Sequence, residues 1–149
     1  LEAQLRLERG RAGVCAVFHA AALCDYQLKA VLNADGKPLD AKKIHSRHAL
    51  LQVLLEPAPK VLPCLRQLFP NARIVGWKYE LDGVRADAIA RGRAQLRENS
   101  TALCVVNGAA YGKGFGVLEP DGMEQNILTR MELCEHLARW AVRPASAPP

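Results

Sequence analysis

The chain has 149 residues, 50% of them hydrophobic and 23% charged, with a net charge of +5 and an isoelectric point near 9.1. That balance is ordinary for a soluble globular domain able to bury a substantial core, and no apolar run approaches the roughly 20 residues of a membrane-spanning helix. The basic residues are dispersed and aromatics make up only 5% of the chain, which favours a phosphorylated small molecule over a nucleic-acid backbone as any anionic partner, while a generally basic solvated surface explains the charge equally well.

In chain order, Leu1 to Arg11 reads as the end of an amphipathic helix, with Leu1, Leu5 and Leu7 facing inward, and it lacks the features of a signal peptide. A start on Leu rather than Met is expected of a trimmed chain or a fragment. Val14 to Tyr26 is an apolar run that passes through three alanines (Ala20, Ala21, Ala22) to an acid beside an aromatic, Asp25-Tyr26. It predicts a buried, parallel strand from about Cys15 to Leu23. Small residues at its carboxyl end leave room for a ligand, and open α/β sheets bind ligands there. Gln27 to Ser46 reads as a polar excursion containing the turn Asn33 to Pro38. Leu50 to Leu55 is a second strand candidate, and Glu56-Pro57-Ala58-Pro59 leads into a helix from about Lys60 to Phe69, with Pro59 at its first position.

Arg73 to Glu80 reads as the next strand, and Asp82 to Asn99 as a helix carrying Val84, Ala88, Ile89 and Leu96 on one side, closed by Asn99-Ser100. Ala102 to Val106 is a short, all-apolar strand. Gly108 to Asn126 reads as a hairpin flap, with the turn Glu119-Pro120-Asp121-Gly122 between two extended pieces. Thr129 with Glu132 forms a capping box for a helix ending near Trp140. The tail, Pro144 to Pro149, contains only Pro, Ala and Ser and is expected to be disordered. The alternation predicts one α/β domain over 1–143, Rossmann-like and doubly wound, with a largely parallel sheet and a hairpin flap.

Several chemistries are disfavoured. The cysteines, Cys15, Cys24, Cys64, Cys104 and Cys134, are odd in number and far apart, and form no Cys-x-x-Cys pair. They read as small residues in a reducing cytosol, with Cys15 and Cys104 in the core, and not as a zinc site. His45 and His48 lack acidic or cysteine companions, so no metal site is expected. Gly36-Lys37 and Gly112-Lys113 lack the upstream glycine of a phosphate-binding loop, and Val117 stands where a dinucleotide loop would need its third glycine. No Tyr-x-x-x-Lys pair supports hydride transfer. What remains are clusters at strand ends: Asp25 with Tyr26, Trp77 with Lys78 and Glu80, and Asn107 with Gly108. Corresponding ends of parallel strands would bring these to one crevice. There Asn107 would bond a base or ribose, and Asp25 a ribose or Mg²⁺, the alternative for each being a turn-forming Asn or Asp. Lys42-Lys43, in the polar excursion, reads first as solvated loop lysines, with a reach over a phosphate as point charges the alternative.

Read in order, Ala20 to Tyr26, Lys43-Ile44, Val75 to Glu80, Val105-Val106-Asn107 and Gly114-Phe115-Gly116 resemble phosphopantothenate–cysteine ligase, the synthetase half of the bifunctional coenzyme A flavoprotein. The likeness runs from about Phe18 to Trp140. It implies a cytoplasmic, homodimeric enzyme in which CTP or ATP, with Mg²⁺, activates the carboxylate of 4′-phosphopantothenate, and the amine of cysteine then forms the amide. It also implies that the Gly108 to Asn126 flap joins the dimer contact. Lys43 would neutralise charge on the triphosphate or acyl phosphate, and Asp25 would contact the nucleotide beside Ala21 and Ala22. Gly76, Trp77, Asn107 and Phe115 would help to form the base and phosphopantothenate pocket. The family's Gly-rich first strand and Asn-bearing loop have no counterpart in the chain, which implies an incomplete domain lacking its N-terminal segment. Trp77 replaces Phe, Asn107-Gly108 replaces Asn-Asp, and Cys24 stands where Ala is common. The flavin-binding half is absent, so FMN is not expected. The alternative is a non-catalytic nucleotide-binding or interaction module of the same fold.

Overall fold

The computed structural model describes residues 2–8, 13–39 and 50–143. The expectations for Leu1, for Lys43 with Lys42, Ile44, His45 and His48, and for the tail 144–149 lie outside the described residues. The elements are α1 (Glu2–Glu8), β1 (Ala16–His19), β2 (Tyr26–Leu32), β3 (Gln52–Pro57), α2 (Leu62–Leu68), β4 (Arg73–Tyr79), α3 (Arg85–Asn99), β5 (Leu103–Asn107), β6 (Phe115–Leu118), β7 (Glu124–Ile127) and α4 (Arg130–Val142). They belong to two compact units, Leu1–Ala21 with Val61–Pro149, and Ala22–Lys60.

The larger unit is built on a five-stranded sheet in the order β1-β4-β5-β6-β7. β1, β4 and β5 run parallel, whereas β6 and β7 add on antiparallel. Successive side chains of a strand point to opposite faces, and β4 and β5 use this to bury both. Val75, Leu103 and Val105 pack with Leu133 and Leu137 of α4. Cys104 and Val106 pack with Ala88 and Leu96 of α3, and Ile74 packs with Leu62, Leu65 and Leu68 of α2. Each such aliphatic side chain contributes about 1.5–3 kcal/mol by leaving water. The result is the expected Rossmann-like α/β architecture with a parallel core.

Local chemistry sets the helix limits. Gly83 turns at φ +98°, so α3 starts at Arg85 rather than Asp82, and the Asp87 carboxylate accepts from the Val84 N–H at 3.1 Å. The helix ends at Ser100, which takes a left-handed conformation at φ 49°. The capping box of α4 forms as expected: the Thr129 N–H donates to Glu132 Oε2 at 3.0 Å, and the Glu132 N–H to Thr129 Oγ1 at 3.2 Å. At the other end of α4, the Arg73 guanidinium lies 3.6 Å from the Trp140 ring centroid and donates to the Trp140 and Arg143 carbonyls at 2.6 and 2.9 Å. In α2 it is Pro63, not Pro59, that occupies the first turn, because the helix begins only at Leu62.

Other expectations are corrected. The first strand is short and lies at the sheet edge, so it is not buried on both faces: Phe18 is 43% exposed. Its pairing ends at His19 opposite Gly76, which leaves the three alanines beyond the sheet. Cys15, just before β1, is exposed, whereas Cys104 in the sheet centre is buried. The hairpin expected as a flap is present, and its strands β6 and β7 extend the sheet.

The smaller unit is an antiparallel ribbon of β2 and β3, so the segment read as a polar excursion is in its first part a strand. Leu28 faces Leu55, Val31 faces Val53, and the register shifts between Leu28 and Ala30. Asn33 closes the expected turn, its Oδ1 accepting from the Asp35 and Lys37 N–H groups at 3.0 and 2.9 Å. Asp25 thereby stands at the foot of β2, where its carboxylate pairs with Lys60.

A β-carbon added at Gly92 of α3 would fall 2.4 Å from Val106 Cγ2 and 2.7 Å from Leu118 Cδ1. Gly92→Ala is therefore expected to lower stability, the overpacking of about 1–3 kcal/mol exceeding the gain of about 1 kcal/mol in helix propensity. Urea denaturation at constant slope reads this out.

Candidate functional site

A cavity of about 540 Å³ opens at the carboxyl ends of the parallel strands of the larger unit. Phe18 of β1, Trp77 of β4, Asn107 at the end of β5 and Phe115 at the start of β6 form one wall. One side of α4 forms the other, from Arg130 through Leu133 and Cys134 to Leu137 and Ala138. The register explains the meeting. Tyr79 pairs with Asn107 and Phe115 with Ile127, so β4, β5 and β6 all present residues at the same sheet end. Because β7 also finishes there, α4 begins beside it, with Arg130 as its first residue. The lining is apolar apart from the Asn107 amide and the Arg130 guanidinium, the composition of a site that holds a flat or aliphatic group and orients it by a few polar contacts.

Three of the residues singled out from the sequence, Trp77, Asn107 and Phe115, therefore share this cavity. Gly76 does not join them. It faces the opposite side of the sheet, where an added β-carbon would lie 3.2 Å from Leu62 Cδ2 and 3.4 Å from Gln95 Oε1. Ala21 is exposed beyond β1. Ala22 and Asp25 are exposed in the ribbon unit, and Lys43 lies outside the described residues. Sequence reading missed Phe18 and Arg130. The first was assigned to a buried strand, and the second follows the N-cap that was recognised.

Two polar clusters hold the strand ends. The Tyr111 ring lies against Gly116, and its hydroxyl accepts from Arg85 Nη2 at 2.7 Å and donates to Asn126 Oδ1 at 3.0 Å. Arg85 also pairs with Glu124 at 2.9 Å. Burial raises the Tyr111 phenol above its ordinary pKa, with Arg85 opposing. The second cluster is Glu80, just past β4, whose carboxylate pairs with Lys78 at 3.1 Å and with Arg91. Burial alone would raise its pKa, but the hydrogen bonds and charges of Arg91 and Lys78 outweigh it and hold the carboxyl below its ordinary value. No group of three metal-ligating side chains occurs among the described residues. No described helix is long and apolar enough to cross a membrane.

The architecture is that of an open α/β domain with its crevice at the strand ends. More narrowly, the fold is that of the phosphopantothenate–cysteine ligase domain, as the sequence resemblance implied. The DNA/pantothenate metabolism flavoprotein from Streptococcus pneumoniae matches with a TM-score of 0.74 at 18% identity, over 93% of this chain and 66% of that one. The C-terminal domain of the coenzyme A biosynthesis bifunctional protein CoaBC matches at 0.60 and 18% identity, over 93% of this chain and 59% of that one. A Cab2 variant in complex with phosphopantothenate-cysteine matches at 0.51 and 21%, over 80% of this chain and 42% of that one. The chain thus spans just under two thirds of the first of these structures and less of the others. No known family's sequence profile and no curated protein sequence matches it.

The cavity contains a thiol that can be addressed chemically. Cys134 is exposed on its α4 wall, whereas burial raises the Cys104 thiol to about 12, with Lys78 opposing. Since the thiolate is the nucleophile, iodoacetamide at pH 8 is expected to alkylate Cys134 in the native protein and spare Cys104 until it unfolds. Peptide mass mapping with and without denaturant checks both outcomes.

Proposed function

We propose that the chain is a phosphopantothenate–cysteine ligase domain of coenzyme A biosynthesis, acting in the cytoplasm on CTP or ATP. The observation that carries this reading is the meeting of Trp77, Asn107 and Phe115 in one strand-end cavity, within a fold shared with proteins of that pathway. In the first half reaction, a carboxylate oxygen of 4′-phosphopantothenate attacks the nucleotide's α-phosphorus and pyrophosphate leaves. In the second, the cysteine nitrogen attacks the activated acyl carbon and the nucleoside monophosphate leaves as the amide forms. Such chemistry asks a protein for positioning and charge stabilisation rather than covalent participation.

Trp77 and Phe115 offer ring faces for a base, and the Asn107 amide offers both a donor and an acceptor to its edge. By the resemblance, Lys43 neutralises charge on the triphosphate or acyl phosphate, Asp25 contacts the nucleotide, and Ala21 and Ala22 leave it room. Mg²⁺ arrives with the triphosphate, whose oxygens and water supply most of its ligands, so no all-protein cage is needed.

The decisive assay is pyrophosphate release with phosphopantothenate and CTP or ATP, with and without cysteine. Release is expected with one nucleotide, with Trp77→Ala raising the KM for it and Lys43→Gln strongly reducing turnover of a folded protein. Nucleotide binding without release would leave a non-catalytic module, and no binding would remove the reading altogether.

A homodimer belongs to the same proposal, and the ribbon supports it. Tyr26, Leu28, Val53 and Leu55 are each 58–59% exposed. A two-stranded ribbon is marginal in water without a covering partner. A second copy of the ribbon supplies matching apolar surface. Replacing the facing pair by Leu28→Lys with Leu55→Glu keeps a favourable cross-strand contact but removes that surface. Light scattering is expected to give a dimer for the wild type and a monomer for the double variant; a monomeric wild type would end this part of the proposal.

A further inference from the structure

Glu80 is a charged residue that the proposed chemistry does not use, yet it is only 8% exposed. Burying a carboxylate is costly unless each oxygen is compensated, and here each is: Oε1 by Lys78 at 3.1 Å, Oε2 by Arg91 of α3. The backbone of the same residue is engaged on both sides. Its N–H donates to the Asn107 carbonyl at 2.8 Å, and its carbonyl accepts from the Ala110 N–H at 3.1 Å. Between those two partners lies Gly108, at φ +116°, where a β-carbon would come within 2.2 Å of the Glu80 carbonyl oxygen. The turn continues with the Gly112 N–H donating to the Gly108 carbonyl at 3.1 Å. Glu80 thus ties the end of β4, the end of β5 and α3 at one point, and that point is adjacent to the one amide in the cavity wall.

We infer that Glu80 is a positioning residue: anchored by Arg91 and Lys78, it fixes the Asn107–Ala110 turn so that the Asn107 amide is held ready toward the cavity. The carboxylate itself touches no ligand. Its effect reaches the site through two backbone hydrogen bonds and the close approach of Gly108. Binding energy is then not spent on ordering Asn107 when a ligand arrives.

The test combines a ligand-independent readout with a binding readout, the second resting on the nucleotide reading proposed above. Glu80→Gln keeps the shape and removes the charge. Arg91→Met removes the anchor, and Arg91→Lys restores a cation. In amide spectra of the full chain, Glu80→Gln and Arg91→Met are expected to shift the Gly108 and Ala110 resonances and to accelerate exchange of the Ala110 N–H. Cys104 and Val106, in the middle of β5, are expected to stay as in the wild type. Titration with CTP and ATP, followed by fluorescence, is expected to show affinity weakened about tenfold in both variants, the equivalent of one charge-assisted hydrogen bond. Arg91→Lys is expected to bind as the wild type does. Resonances and affinity unchanged in Glu80→Gln would overturn the inference; so would a uniform loss of all β5 protection, the mark of a merely structural role. If Glu80→Gln fails to fold, the contrast between Arg91→Met and Arg91→Lys decides. If the wild type binds neither nucleotide, the nucleotide reading falls, and the amide spectra alone decide whether Glu80 holds the turn.

Discussion

Two parallel strands that bury both their faces are the constraint on which the larger unit depends. In β4 and β5 alternate residues go to opposite faces, and Ile74, Val75, Leu103, Cys104, Val105 and Val106 are all fully buried. One face needs α2 and α3 over it, and the other needs α4. With helices on both faces, only the strand ends and the flanks of the sheet remain for a ligand, which is why the cavity lies at Trp77, Asn107 and Phe115. The antiparallel hairpin of β6 and β7 then acts as a return path. It delivers α4 back to the sheet end where β5 finishes, and with it Arg130.

Where the sequence was legible, one physical signal dominated its segment. Arg73 to Tyr79 and Leu103 to Asn107 are central strands, and each has a continuous apolar middle, Ile74 to Trp77 and Leu103 to Val106, so their composition speaks for itself. The Thr129 to Glu132 box needed no tertiary information, because its hydrogen bonds join residues three apart. Where two signals competed, the reading failed. Tyr26 to Leu32 carries period-two alternation, but Gln27 and Lys29 made it look like polar loop, and its partner strand lies beyond a long separation. Cys15 to Leu23 holds the expected parallel strand, but shorter and not buried on both faces. Its apolar character is that of a buried strand, but strand order makes it an edge, and order is not written in composition.

The candidate site was half legible for a related reason. Trp77, Asn107 and Phe115 stand at strand ends, and ends of recognisable strands can be counted along the chain. Phe18 and Arg130 enter the cavity through topology, Phe18 by the pairing of β1 with β4 and Arg130 by the return of the hairpin. Gly76 shows the limit of counting. It is adjacent to Trp77 in sequence, and the pleat turns it to the other face, against Leu62 and Gln95. Since one fold serves many chemistries, the weight of the ligase reading falls on which side chains share the cavity rather than on the superposition.

One departure from the resembling family, the glycine at 108, is explained by Glu80. By the resemblance, Asn107-Gly108 stands in place of Asn-Asp, and the structure gives a reason for glycine. At φ +116°, with the Glu80 carbonyl oxygen 2.2 Å from a would-be β-carbon, no L side chain fits without moving the end of β4. A side chain at 108 would therefore have to be accompanied by a different approach of β4 to β5. In this chain the approach is close, and the Glu80 carboxylate is drawn toward α3 by Arg91 and Lys78. Lys78 and Trp77 then divide the work of one strand end: alternate residues of β4 send the lysine to the side that anchors Glu80 and the indole to the side that lines the cavity. Gly108, Lys78 and Arg91 thus all meet Glu80, the glycine at its backbone and the two cations at its carboxylate, beside the turn that begins at Asn107.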